Sequence, residues 1–164
     1  MQTVPLIKDL HKQDSPRIID LILPIQQIEF NVPITLEGQP DLLDIERYYY
    51  EDGGRFWGAV VNEQLVGTIA LIVADGNIGV IRKMFVAKDF RGKDIGTATI
   101  LLQALIDHCR ETGIHDLYLG TVDLLKAALR FYERNGFTQI AADALPAAFP
   151  RMKPDNMFYH LHLD

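Results

Sequence analysis

The chain has 164 residues, 48% hydrophobic and 23% charged, a globular composition with enough length to bury a sizeable core. A formal net charge of −6 disfavours a general nucleic-acid surface and leaves a weak preference for cationic small substrates. The one cysteine, Cys109, excludes an internal disulfide. No apolar run reaches the length of a membrane span, and the N-terminal stretch lacks a basic region followed by an apolar core. The expectation is a soluble, cytoplasmic protein with no nucleic-acid or membrane partner, folded as a single domain over residues 1–164.

In chain order, "TVPLIKDL" predicts a short strand. Ser15-Pro16 reads as an N-cap followed by proline at the first helical position, and Ile18, Ile19, Ile22 and Leu23 continue with helical spacing. Pro24 should kink or break that helix. "IQQIEFNVPITLEGQP" then predicts a second short helix running into a loop, and "PDLLDIERYYY" another helical segment. The stretch "RFWGAVVNEQLVGTIALIVADGNIGVIRKMFVA" is rich in β-branched and aromatic residues, with turn signals at Asn62-Glu63 and Asp75-Gly76. It predicts three antiparallel strands in a meander. The next helix places Ile95, Ala98, Leu102, Leu105, Ile106 and Cys109 on one apolar stripe and stops at Gly113. "HDLYLG" predicts a buried strand. "DLLKAALRFYERNG" predicts a helix capped by Asp123 and ended by Asn135-Gly136. "FTQI" and "MFYHLHL" are the last strands. The order β-α-α-β-β-β-α-β-α-β-β describes a mixed α/β architecture.

The turn into the long helix carries the first chemical signal. Backbone N–H groups of Asp94, Ile95, Gly96 and Thr97 fall at a helix N-terminus, where they lack intrahelical partners and carry the positive end of the dipole. Gly92 and Gly96 permit tight turning and close approach of a diphosphate, while Arg91 and Lys93 add cationic donors. The plainer alternative is an ordinary helix start capped by Asp94. The turn fits neither the P-loop pattern nor the dinucleotide-binding pattern.

"FRGKDIGTATILL", followed further along by "AALRFYERNGF", resembles the GNAT N-acetyltransferase superfamily. The first stretch is similar to its R-x-x-G-x-G pyrophosphate loop and the second to its A-x-x-F-Y-E-x-x-G-F helix. The strand order agrees, and the resemblance covers nearly the whole chain. Two positions depart from the family pattern: Asp94 replaces the first loop glycine, and Leu125 replaces an asparagine often found before the second motif. The Asp94 carboxylate is expected to weaken, but not abolish, diphosphate binding.

The resemblance implies a GNAT-like fold, a central and mostly antiparallel sheet flanked by helices, that transfers acetyl from acetyl-CoA to a primary amine of a small molecule or peptide by direct attack, with no metal. It implies a wedge between the fourth and fifth strands for the cosubstrate. The main chain of Met84, Phe85 and Val86 would line its arm, and Leu125 and Phe131 would join the loop residues in holding it. Tyr132 stands at the family's general-acid position; without the family match it would read as a packed aromatic. Glu29, a carboxylate in an apolar context, is the candidate base or amine anchor, its alternative being a solvated helix end. A homodimer is compatible with the family. The rival readings are an acyl-CoA-binding module with little or no catalysis and a transferase of another acyl group.

Other features carry less. His160 and His162 share a strand face, where a polar surface is favoured over a metal site. Cys109 reads as a buried hydrophobe. Either Arg82 or Lys83 must face inward or into the cleft. Phe149 and Arg151, in a proline-punctuated loop, are candidates for shaping the acceptor site.

Overall fold

The computed structural model describes residues 4–75, 77–92 and 95–164. Lys93, Asp94 and Gly76 therefore lie outside the described residues. One seven-stranded mixed sheet runs in the order β1-β2-β3-β4-β5-β7-β6. Its strands are β1 (Leu6–Asp9), β2 (Arg55–Val61), β3 (Gln64–Ala74), β4 (Ile78–Val86), β5 (Asp116–Thr121), β6 (Thr138–Ile140) and β7 (Met157–His162). The helices are α1 (Ser15–Pro24), α2 (Thr97–Thr112) and α3 (Lys126–Arg134). The expected meander is present as β2-β3-β4. Its first turn has Asn62 and Glu63 at φ 49° and 67°, the left-handed pair that matches strand twist in a two-residue hairpin.

β2 and β3 read as nearly continuous apolar runs because helices cover both faces of the sheet. On one face, Leu101, Leu102, Leu105 and Cys109 of α2 and Leu129 and Phe131 of α3 pack with Trp57, Val66, Ile69 and Leu71. On the other, Ile18 and Ile22 of α1 pack with Leu42, Tyr49, Phe56 and Ala70. The α2 stripe is centred on Leu101, Leu105 and Cys109 rather than on Ile106, which is only partly buried. Among the described residues no helix is long and apolar enough to cross a membrane.

Local corrections follow from backbone geometry. α1 starts at Ser15, so Asp14 occupies the cap position and Ser15 Oγ is buried without a partner. Pro24 closes α1, but the chain continues helically as a wide π-turn over Ile25–Glu29. The segment expected as one helix over Pro40–Tyr50 is a 3-10 turn at Pro40–Leu43 and a π-turn at Glu46–Tyr50. α3 begins at Lys126 rather than at Asp123, whose carboxylate instead accepts a hydrogen bond from Asn156 Nδ2 at 3.3 Å. Gly113 and Gly136 are left-handed at φ 80° and 89°, as helix-ending glycines require.

Candidate active site

The site originates in an interruption of the sheet. β4 pairs with β5 in parallel only at Ile78↔Asp116, Gly79↔Leu117 and Val80↔Tyr118. Beyond Val80 the two strands separate, leaving the β5-facing edge of β4 unpaired. In the same stretch the β3–β4 register shifts between Thr68 and Ala70, and Lys83 takes φ 53°. This bulge re-aims the side chains of β4 at the cleft. The Thr68 hydroxyl secures it by donating to the Lys83 carbonyl at 2.7 Å.

Two cavities occupy the opening. The larger, about 590 Å³, lies between β4, the N-terminus of α2 and α3. Met84, Phe85, Val86, Leu125 and Phe131 line it, as do Arg91, Gly92 and Gly96. Gly92 and Gly96, at φ 107° and 74°, carry the turn into α2 in a conformation that side chains disfavour. Gly96 at the cap position has no side chain to cap with, and among the described residues no side chain is recorded capping this sixteen-residue helix. One expected donor is engaged: the Gly96 N–H donates to the Gly92 carbonyl at 3.0 Å. Ile95 and Thr97 do not line the cavity, and the Thr97 side chain is buried. Two lining residues escaped the sequence reading. Arg130 and Arg134, one turn apart on α3, join Arg91, and no carboxylate stands among the described lining residues. A net acidic chain thus presents a basic cavity.

The smaller cavity, about 150 Å³, lies where β4 and β5 diverge. Gln26, Arg82, Lys83, Thr121, Met152 and Asp155 contribute to its wall. The two cavities share Phe30, Met84, Phe85, Leu125, Ala128 and Tyr132. Tyr132, 5% exposed, therefore stands at their junction. Burial holds its phenol well above the usual range, and the negative charge of Asp155 adds to the shift. Asp155 is itself held above the ordinary carboxylate range by burial, against the pull of Arg82, Arg151 and Lys83. Its carboxylate lies against Gly120 so closely that a Cβ there would meet Asp155 Oδ2 at 2.5 Å, so a side chain at this position of β5 would displace the carboxylate.

Lys83 is committed to structure. Its ammonium lies 3.5 Å from Asp41 and donates to Gln39 Oε1, and Gln39 in turn exchanges hydrogen bonds with Gln26 at 2.9 and 3.1 Å. Asp41 also accepts from the Tyr49 hydroxyl at 2.5 Å. Desolvation lowers the Lys83 pKa despite Asp41. Arg82 differs: its Nη1 is buried with no hydrogen-bond partner.

Glu29 lines neither cavity. Both its oxygens accept from Arg91, one of them from Nη2 at 2.7 Å, while Arg91 Nε donates to the Val86 carbonyl at 2.8 Å. The Arg91 hydrogen bonds hold the Glu29 carboxyl below its ordinary range, which makes it a weaker base. The proline-punctuated loop does wall the smaller cavity, but through Met152, Pro154 and Asp155. Phe149 instead packs edge-on to Phe158, and the Arg151 guanidinium lies 5.0 Å over the same ring. His160 and His162 flank Asp116 at 2.8 and 3.0 Å, joining β7 to β5 away from the cleft.

A parallel-strand splay beside a basic helix N-terminus thus opens into a second cavity lined by a buried phenol and a half-buried carboxylate. Residues 19–137 match the model of the acetyltransferase (GNAT) family, and the chain belongs to that family. It is 40% identical to a solved GNAT-family acetyltransferase from Staphylococcus aureus Mu50, with a TM-score of 0.93 over 98% of this chain and 99% of that one. Over 111 residues it is 34% identical to a protein named probable N-acetyltransferase camello from Xenopus tropicalis, covering 65% of this chain and 49% of that one. The chain therefore spans about half the length of that curated relative. The PaiA N-acetyltransferase of Thermoplasma acidophilum, solved in complex with coenzyme A, shares the fold at a TM-score of 0.75 and 17% identity over 98% of this chain and 99% of that one.

Proposed function

We infer that this chain is an acetyl-CoA-dependent N-acetyltransferase that acetylates a primary amine of a small molecule or peptide. The observation that carries the reading is the junction of the two cavities at Tyr132. The larger cavity suits a polyanionic cosubstrate. Arg91, Arg130 and Arg134 would neutralise phosphates, the α2 N-terminus offers N–H donors to a diphosphate, and the free edge of β4 offers main-chain groups to an extended amide-bearing arm. The coenzyme A complex of PaiA supports this fit. Acetyl-CoA would supply a thioester carbonyl and a thiolate leaving group.

The chain's own groups account for the protons. An alkyl ammonium has a pKa of about 10, so it must lose a proton before it can attack. Asp155, a carboxylate of raised pKa in the smaller cavity, takes that proton. The amine nitrogen then bonds to the acetyl carbon as the carbon–sulfur bond breaks. Tyr132, which burial keeps protonated, delivers its phenolic proton to the departing sulfur; the new amide nitrogen gives its surplus proton back to the phenolate, and Asp155 returns the proton it took to solvent. Asp155 replaces Glu29 as the base in this reading, because Glu29 is gripped by Arg91 outside the acceptor cavity.

Calorimetric titration with acetyl-CoA and with CoA, followed by an amine screen read by free-thiol release, tests the proposal. The expected result is about one equivalent of CoA bound per chain and thiol release that depends on added amine. Absence of binding at high micromolar concentration would overturn it.

A further inference from the structure

The charges of the smaller cavity are unbalanced in a specific way. Among its described lining residues only Arg82, Lys83 and Asp155 are charged. Lys83 is neutralised by Asp41 and hydrogen-bonded to Gln39, so it is not available to a ligand. Arg82 keeps a buried Nη1 without a hydrogen-bond partner, and no carboxylate among the described residues comes within ion-pair distance of its guanidinium. Asp155 likewise feels Arg82 only through space, without a hydrogen bond to it. A half-buried cation and a half-buried anion thus face one cavity of about 150 Å³ without closing on each other. Asp155 is desolvated with only through-space attraction to Arg82, Arg151 and Lys83, and Arg82 keeps a buried donor unsatisfied, a costly arrangement unless a ligand completes it. A cavity of that volume holds a group of about the size of a benzene ring, so the complement is small.

We propose that the acceptor is a small amino acid, whose amine is held by Asp155 and whose carboxylate is read by Arg82. The proposal rests on the acetyl-transfer reading of the site and narrows its acceptor class. It also reverses what the net charge of −6 suggests, since a purely cationic amine would leave Arg82 unpaired and place a second positive charge beside it. The planar guanidinium matches a carboxylate through two parallel N–H donors, which an ammonium side chain could not do. An analogue without the carboxylate would leave the Arg82 charge facing the cavity uncompensated, which discriminates against it.

The test compares three matched acceptor classes with acetyl-CoA and the full chain: the common L-amino acids, their carboxamides, and the corresponding decarboxylated amines. N-acetyl product is quantified by mass spectrometry. The expected result is that at least one free amino acid exceeds its carboxamide and amine about tenfold or more in kcat/KM. Arg82→Gln should abolish that preference by lowering the rate with the free acid far more than the rates with the other two classes, and Arg82→Lys should restore part of it. A wild-type preference for carboxamides or plain amines would overturn the proposal while leaving acetyl transfer intact. So would an Arg82→Gln variant that loses all three classes equally. CoA binding with transfer to none of the three classes would overturn the amino-acid proposal, and the broader amine screen then decides the acetyl-transfer reading by itself. The wild-type comparison needs no variant, so a folding defect in Arg82→Gln cannot obscure the answer.

Discussion

In the proposed mechanism Tyr132 and Asp155 divide two proton transfers, and the surroundings of both push their pKa values upward with opposite consequences. For a phenol the shift secures the protonated form and suits an acid. For a carboxylate it strengthens the base at the cost of its ionisation at low pH. Tyr132→Phe should therefore lower kcat about a hundredfold while leaving the Kd for acetyl-CoA unchanged, measured by steady-state kinetics beside calorimetry. Equal turnover in the two forms would remove the phenol from the chemistry. Asp155 must be ionised to accept a proton, so kcat/KM should fall as pH drops through a value above the ordinary carboxylate range of about 4. Asp155→Asn should cut kcat/KM by about a hundredfold and erase that acid limb, leaving only the titration of the amine. A limb that persists in the variant would assign it to another group.

At the scale of elements, the π-turn after α1 and the turn before α2 are joined by one ion pair, Glu29 with Arg91. Arg91 is the cation of the larger cavity nearest to the α2 N-terminus in sequence, and a diphosphate would have to compete with Glu29 for its guanidinium. Glu29→Gln should then tighten CoA binding severalfold, because a neutral amide releases the arginine. Weaker binding in that variant would mean that Glu29 instead holds Arg91 in its working position. The β5–β7 edge has its own electrostatic clasp at Asp116. Hydrogen bonding to His162 and His160 depresses the Asp116 pKa, and the same contact raises that of His162. The clasp should contribute most between those two values. It fades as pH rises through the elevated His162 pKa, since the imidazolium is lost, and again as pH falls through the depressed Asp116 pKa. NMR titration should show His162 protonating above its usual value of about 6.5; a normal or lowered value would mean the clasp does not form in solution.

Across the whole molecule, the sheet with helices on both faces acts as the rigid frame that holds β4 and β5 apart beyond Val80. Leu105 of α2 is fully buried in the main core, between the helix that offers its N-terminus to the larger cavity and the strands beneath. Leu105→Ala should cost about 3 kcal/mol and lower Tm by roughly 9 °C, measured by thermal unfolding. A shift below about 2 °C would mean that the core collapses around the missing side chain. Cys109 on the same helix is inert by placement: burial pushes its thiol up to about 12.

Local rules made much of the frame legible. Hydrophobic period, turn residues and helix-ending glycines located the meander, α2 and the Gly92–Gly96 turn, because each depends on residues close together in the chain. Proline-marked helices were placed less well, since Pro24 was accommodated by winding wider rather than by stopping. The larger cavity was half visible: the loop and Tyr132 carried a motif, whereas Arg130 and Arg134 carried no local signal, because only the docking of α3 beside β4 brings them to the cavity. Residue pattern alone located most of the elements, the basic turn and the tyrosine within the second motif. Only the tertiary structure decided that Asp155 faces Tyr132, that Glu29 belongs to Arg91 and that Arg82 stands unpaired. Those facts depend on strand register, the bulge at Lys83 and a loop returning across β5, and each joins residues whose proximity no local spacing encodes.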